Sequence, residues 1–432
     1  MRFVPALSLL LSLLAAAEDP VPKDVQQKVH DYLLAKDSDA KKLEADLKSI
    51  PFDVLARAVA ADAWGDAVKE GEGEFEIEVP NDGAKTKVAY FVPPGYTPDR
   101  AWPMLVGVHG TDGHAEEERA RWERLAQDKD AGFLIVCPEE QQKLWGQGWG
   151  SREPERALTL AALAQGMKRF HVDPDRVFLA GVSRGGHATW EVGLLFGDRF
   201  AGLYANAGGL RIVNFGYVHN LGPVPLLESL GGKDQEMLVA DVKTAVETIQ
   251  KDGGEVVFHL HEEAGHGVGY GDDPEFGGWI AKRRRNSYPK TFVHAFSRLN
   301  QGRAYWVQAT KIPNGVLDPT TTKPAIELPK GKKPTEAEMR DLFKQKLADG
   351  EARLEAKVEG NKIEITTQKV TEIVVWFSSK VVDLSQPVEV WVNGMRKYQA
   401  KVEPDGVKML QHVRETGDRG LVFENSLKTA TK

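Results

Sequence analysis

Cysteine is nearly missing from this chain: Cys137 is the only one in 432 residues. No disulfide can form within it, so its stability has to come from buried apolar surface. Cys137 itself sits in the apolar run GFLIVCP, where a small buried core residue is expected. A strong excess of charge of one sign is missing too. Lys and Arg number 56 against 63 Asp and Glu, a net charge of −7 with both signs interspersed. That balance provides no electrostatic grip on nucleic acid or anionic lipid. The local exception, Lys282-Arg283-Arg284-Arg285, reads as a solvated linker. Internal repeats are absent, and so is any apolar run long enough for a permanent membrane span.

The one prolonged apolar stretch lies at the start, in MRFVPALSLLLSLLAAAEDP. A cation at Arg2, an apolar core from Phe3 to Leu14 and the small residues Ala15-Ala16-Ala17 form the layout of a cleavable secretory signal over residues 1–17. The mature protein is expected outside the cytoplasm, secreted or periplasmic. Residues 18–72 follow with apolar positions every three or four residues, a helical lead-in.

From residue 73 the texture changes. FEIEV and KVAYFV flank the turn PNDG, which predicts a strand pair. Then apolar runs alternate with amphipathic segments: MLVGVHG, GFLIVCP, VFLAGVS, FAGLYANAG, PVPLLESLGG and EVVFHLHEE read as strands, most of them separated by helices. This α/β rhythm predicts a mostly parallel sheet with helices on both faces over residues 73–286. In such sheets chemistry gathers in the loops at the carboxyl ends of strands. After Tyr288-Pro289 the segments TFVHAFS, AYWVQAT, ARLEAKV, KIEITTQ, TEIVVWFSS, VEVWVNG and RKYQAKVE are strand-like. Residues 287–432 therefore read as a β-sandwich-like accessory domain. One helix interrupts it, opened by the capping box Thr335 to Glu338 and closed at Gly350.

The strand–turn–helix setting around Gly181-Val182-Ser183-Arg184-Gly185-Gly186 carries the pattern G-x-S-x-G. A tight turn there lifts the Ser183 hydroxyl above the sheet and points a helix N-terminus at it. The backbone N–H of Arg184 is then one donor to a developing oxyanion. A second donor is expected from His109-Gly110-Thr111-Asp112-Gly113, at Thr111, with the His109 ring bracing the loop. A serine nucleophile needs a base and an orienting acid. Asp234 follows the strand PVPLLESLGG, and His266 follows EVVFHLHEE, so all three residues occupy loops on one rim. Glu228 and Asp241 are the weaker alternatives for the acid. His187, four residues after the serine on the same helix, is carried away from the hydroxyl and reads as structural.

His259, His261, Glu262, Glu263 and His266 crowd into HLHEEAGH, which raises the question of a metal. His261 and His266 are five apart rather than four, and Gly265 interrupts a helix, so the H-E-x-x-H pattern is not met. Neither metal nor cofactor is expected. In the rim loop 139–152, Trp145 and Trp149 can form an aromatic wall for substrate or simply bury the loop.

HGTDG, HVDPDRVFLAGVSRGGHATW, GGKD and AGHG together resemble the α/β-hydrolase superfamily. The nearest likeness is to exported esterases of the polyhydroxybutyrate-depolymerase and feruloyl-esterase type, over about residues 75–286. The resemblance implies an ester substrate, polysaccharide-linked or polyester among them, with Ser183 as nucleophile, His266 as base and Asp234 as orienter. Arg184 departs from the methionine or glutamine frequent after the serine and adds a cation at the pocket mouth. Serine peptidases of the prolyl-oligopeptidase type resemble the same core, and a non-catalytic glycan- or surface-binding protein is the rival from another class.

Overall fold

Runs such as MLVGV and LIVC have no polar side to offer water, so they require cover on both faces. In the computed structural model they form the centre of an eight-stranded sheet. The structure describes residues 20–62, 68–79, 83–126, 132–140, 153–266, 275–322, 324–326 and 334–432. Among the described residues three helices come first: α1 (Lys23–Leu34), α2 (Asp37–Leu47) and α3 (Phe52–Ala61). The strands β1 (Gly71–Glu78), β2 (Lys85–Val92), β3 (Trp102–Val108), β4 (Leu134–Pro138), β5 (Val172–Val182), β6 (Gly202–Asn206), β7 (Leu226–Gly231) and β8 (Val256–His261) then take the order β1-β2-β4-β3-β5-β6-β7-β8. The hairpin β1–β2 is antiparallel and meets β4 antiparallel; from β4 to β8 every pair is parallel.

Both faces are covered, as the continuous apolar runs require. Helices α4 (Ala115–Ala126) and α8 (Phe276–Ala281) put Trp122, Phe276 and Ile280 against one face. Helices α5 (Glu153–Arg169), α6 (Arg184–Phe196) and α7 (Glu236–Lys251) put Leu158, Trp190 and Val242 against the other.

The accessory region comprises β9 (Thr291–Phe296), β10 (Arg303–Ala304), β11 (Val307–Lys311), α9 (Glu336–Gly350), β12 (Ala352–Glu359), β13 (Lys362–Gln368), β14 (Glu372–Phe377), β15 (Val388–Val392), β16 (Met395–Ala400), α10 (Gly406–Thr416) and β17 (Asn425–Ala430). Two sheets, β16-β15-β13-β12-β9 and β10-β11-β14-β17, enclose a core that includes Phe292, Trp306, Ile365, Val375 and Val390. The strands alternate buried and exposed positions, as a sheet wet on one side must. The capping box of α9 is formed: Thr335 Oγ1 accepts the Glu338 N–H at 3.2 Å, and the Glu338 carboxylate accepts the Thr335 N–H at 2.7 Å.

Two features depart from the sequence reading. Helix α10 is an amphipathic segment that the strand count passed over, and it packs on two sides: its His412 ring lies 4.3 Å from that of Trp376 and 4.8 Å from that of Phe423 in the accessory core. Its Met409, Leu410 and Val413 share a core with Val29, Tyr32, Leu55 and Val59 of α1 and α3. The lead-in is thus completed by the far end of the chain. The basic run, expected to be solvated, is not so at Arg285, whose side chain is 2% exposed. Its guanidinium donates to both Asp418 oxygens at 2.6 and 3.0 Å, to Asp175 Oδ1 at 3.1 Å and to the Asp198 carbonyl at 3.1 Å. Four segments distant in sequence meet at that one side chain. A buried guanidinium keeps its charge, so carboxylates have to be built around it.

Candidate active site

The turn between β5 and α6 is tight. Ser183 has φ 56° and ψ −116°, a backbone region that costs a non-glycine residue about 1–3 kcal/mol. Surrounding bonds hold it there. Its N–H donates to the Asn206 carbonyl at 2.7 Å, and its carbonyl accepts the His187 N–H at 3.0 Å. Gly185 permits the close approach, since a Cβ there would overlap the Val108 carbonyl. Arg184 is the first residue of α6, so its N–H has no helical carbonyl four residues back to bond.

The two other residues arrive from the next two strands. Asp234 follows β7 and His266 follows β8. His266 Nε2 lies 2.8 Å from Ser183 Oγ, and His266 Nδ1 lies 2.8 Å from Asp234 Oδ2. Asp234 is 2% exposed at its side chain while His266 is 48% exposed, so the acid is sheltered and the imidazole reaches the opening. Asp234 Oδ1 accepts the Gln235 N–H at 2.7 Å, which fixes the carboxylate plane. The loops bearing the acid and the base are joined to each other. Gly232 N–H donates to the His261 carbonyl at 2.9 Å, Lys233 N–H to the Ala264 carbonyl at 2.8 Å, and the Lys233 ammonium pairs with Glu263.

The alternatives for the acid are engaged elsewhere. Glu228 is fully buried on β7, takes the Trp190 indole N–H at 2.7 Å, and is pushed well above the usual carboxyl range by burial. Asp241 pairs with Arg340 of α9. His187 is pinned by its Nδ1 to Gly209, and burial lowers its pKa. Of the crowded histidines, His261 Nε2 lies 3.1 Å from Ser229 Oγ and His259 Nε2 lies 3.6 Å from Glu275. Among the described residues no group of three or more His, Cys, Asp or Glu side chains is placed to hold a metal ion.

A cavity of about 520 Å³ opens beside Ser183 and His266 and is bordered by Thr111, Asp112, Glu117 and Arg121. The loop carrying Thr111 is braced as expected. His109 Nδ1 bonds the Gly110 carbonyl at 2.8 Å, and His109 Nε2 accepts the Glu140 N–H at 3.1 Å. One donor and one acceptor make a neutral ring, and burial lowers its pKa in the same sense. Asp112 adopts φ 57°, which turns the loop towards α4. The Arg184 side chain pairs with Glu140 at 4.0 Å.

Sequence reasoning missed three groups here. Glu139 and Glu140 were taken only as the start of a rim loop. Glu118 is buried between Trp122 Nε1 at 2.7 Å and Arg121 Nη1 at 3.0 Å, and burial raises its pKa to about 7. The acidic doublet directly after a buried strand was the available signal for the first pair. Trp145 and Trp149 lie outside the described residues.

A β1-β2-β4-β3-β5-β6-β7-β8 order, with a strained serine between β5 and its helix, decides the architecture. The chain has the α/β-hydrolase fold. No family model matches it. In sequence it is similar to feruloyl esterase B of Piromyces equi, 27% identical over 163 residues, which is 35% of this chain and 30% of that protein. It is similar to a probable dipeptidyl peptidase 4 of Emericella nidulans, 30% identical over 134 residues, 27% of this chain and 17% of that protein. Poly(3-hydroxyalkanoate) depolymerase C of Paucimonas lemoignei is 30% identical over 117 residues, 25% of this chain and 28% of that protein. The chain thus spans less than a third of the length of each of these relatives.

Proposed function

We propose that this chain is a serine hydrolase of carboxylic esters, working through Ser183, His266 and Asp234. The observation that carries the reading is the pair of 2.8 Å contacts linking these three side chains across three loops of one rim. Ser183 Oγ attacks the ester carbonyl while His266 Nε2 takes its proton. Asp234 holds the imidazole with Nδ1–H towards the carboxylate and offsets the charge that forms on the ring. The backbone N–H groups of Thr111 and Arg184 receive the tetrahedral oxyanion. His266 then protonates the leaving alcohol, and water frees the acyl-enzyme by the same route. No cofactor enters these steps.

Residues 73–286 form the catalytic unit in this reading, with 18–72 and 287–432 as lead-in and accessory region. Residues 1–17 act as an export signal. N-terminal sequencing of the secreted protein tests this point, a start near Glu18 being expected. The relatives named feruloyl esterase and poly(3-hydroxyalkanoate) depolymerase support esters of polysaccharide-linked or polyester type as substrates.

A fluorophosphonate probe tests the reading directly: the wild type should be labelled and Ser183→Ala should not. Equal labelling of both, or of neither, would refute it. The relative named dipeptidyl peptidase 4 favours a second reading, peptide cleavage by the same triad. Turnover of p-nitrophenyl esters against peptide amides separates the two.

A further inference from the structure

Two consecutive glutamates follow β4, and together they grip the segment running from β3 into α4. Glu139 is itself fixed to β2, donating its N–H to the Lys87 carbonyl at 2.8 Å and accepting the Thr86 hydroxyl at 2.7 Å. Its carboxylate takes the Ala115 N–H at 2.6 Å and the His114 ring nitrogen at 3.0 Å, at the start of α4. A carboxylate in that place suits the orphan N–H groups and the positive end of the helix dipole. Glu140 works on the other side. Its N–H holds His109 Nε2, and its carboxylate, 0% exposed, faces the Arg184 guanidinium.

The bond from His109 to the Gly110 carbonyl has a geometric consequence. That carbonyl and the Thr111 N–H belong to one planar trans peptide, in which C=O and N–H point in opposite directions. Gripping the oxygen from behind therefore aims the Thr111 N–H away from His109. Gly113 N–H, which also donates to the Gly110 carbonyl at 3.2 Å, adds to the same grip. The other oxyanion donor, the Arg184 N–H, belongs to the residue whose side chain pairs with Glu140. Both donors are thus tied to one short acidic segment.

We infer that His109 and Glu140 are positioning residues that set the aim of the two oxyanion donors, His109 through the Gly110–Thr111 peptide and Glu140 through His109 and Arg184. The inference rests on the esterase reading and adds to it the residues that preorganise the hole. It also gives the arginine after the serine a role, as a cation 4.0 Å from a buried carboxylate.

The test uses purified full-length protein, p-nitrophenyl acetate and a trifluoromethyl ketone, whose tetrahedral adduct places an oxyanion in the hole. Rates are expressed per active site titrated with fluorophosphonate, so loss of folded protein does not enter them. His109→Phe keeps a ring and removes both bonds. Its kcat should fall about 10–100-fold with KM within about 2-fold, and the ketone's Ki should rise in parallel. His109→Gln, which retains a donor and an acceptor, should recover part of the loss. Glu140→Gln keeps the backbone bond to His109 and removes the charge facing Arg184; a kcat loss of about 3–10-fold is expected. If His109→Phe does not fold, Glu140→Gln still decides. Unchanged kcat and Ki per titrated site in either folded variant would overturn the inference. A wild type that is not labelled removes the esterase reading and the inference with it, a different result from a labelled wild type with indifferent variants.

Discussion

Replacing Asp418 by alanine should loosen the junction of the two halves more than any surface change of equal size. Arg285 is 2% exposed, and Asp418 supplies its shortest bond, at 2.6 Å. Breaking a buried pair by removing one partner costs about 3–5 kcal/mol, because the surviving charge stays behind in a poor solvent. Asp175 remains at 3.1 Å and takes up part of that deficit. We therefore expect about 2–3 kcal/mol, a large share of the roughly 5–15 kcal/mol that stabilises a typical domain. Since the halves need not unfold together, amide hydrogen exchange is the suitable assay. Opening free energies should drop across α10 and the start of β9, while the centre of β3 keeps its protection. The pair Arg285→Met with Asp418→Ala should be more stable than Asp418→Ala alone, since removing both charges of a buried pair is close to neutral. A cost under about 1 kcal/mol, or a double variant no better than the single one, would refute the reasoning.

Other outcomes follow from the same structure. Gly232→Ala places a Cβ 2.7 Å from Glu262 Cα and should part the acid and base loops, lowering kcat about 10-fold or more with KM little changed; an unaltered kcat would show that the loops tolerate the strain. Burial raises Glu351 from an ordinary 4.5 to about 8. The folded state then keeps a proton that the unfolded state releases, so stability falls as pH rises from about 4.5 to about 8, by a few kcal/mol. Glu351→Gln should flatten that slope in urea titrations at several pH values, and an identical slope would count against it. Thr335→Ala removes the α9 cap and should cost about 1 kcal/mol locally, read by hydrogen exchange in the first turn of α9.

The sheet was legible because its strands announce themselves. Nothing but a doubly covered strand suits MLVGV or LIVC, and glycines at the rim mark where such strands stop. The rim residues were legible for a related reason. Ser183, Asp234 and His266 each follow a strand end, so their neighbourhood was implied by topology before any distance was known. What escaped depends on contacts between remote segments. GVKMLQHVRET has helical spacing, yet its apolar face gives no hint that α1 and α3 are its partners. Arg285 looks like any member of a basic run until Asp175 and Asp418 close on it from positions 110 and 133 residues away. The Glu139-Glu140 doublet fails for a subtler reason, because half of its effect passes through backbone groups that every residue possesses.

The shared core of α1, α3 and α10 makes the two termini a matter of timing. Gln411 of α10 bonds Glu44 of α2 across 367 positions of sequence, and Leu55 packs where Gly406 leaves room. During synthesis the first three helices emerge with an apolar face that has no cover until α10 has been made. They must be kept from aggregation while the hydrolase sheet and the sandwich form behind them. Cleavage on both sides of α10 that released this helix would re-expose that early face. Binding of a dye to exposed apolar surface would then report damage at one end through the other.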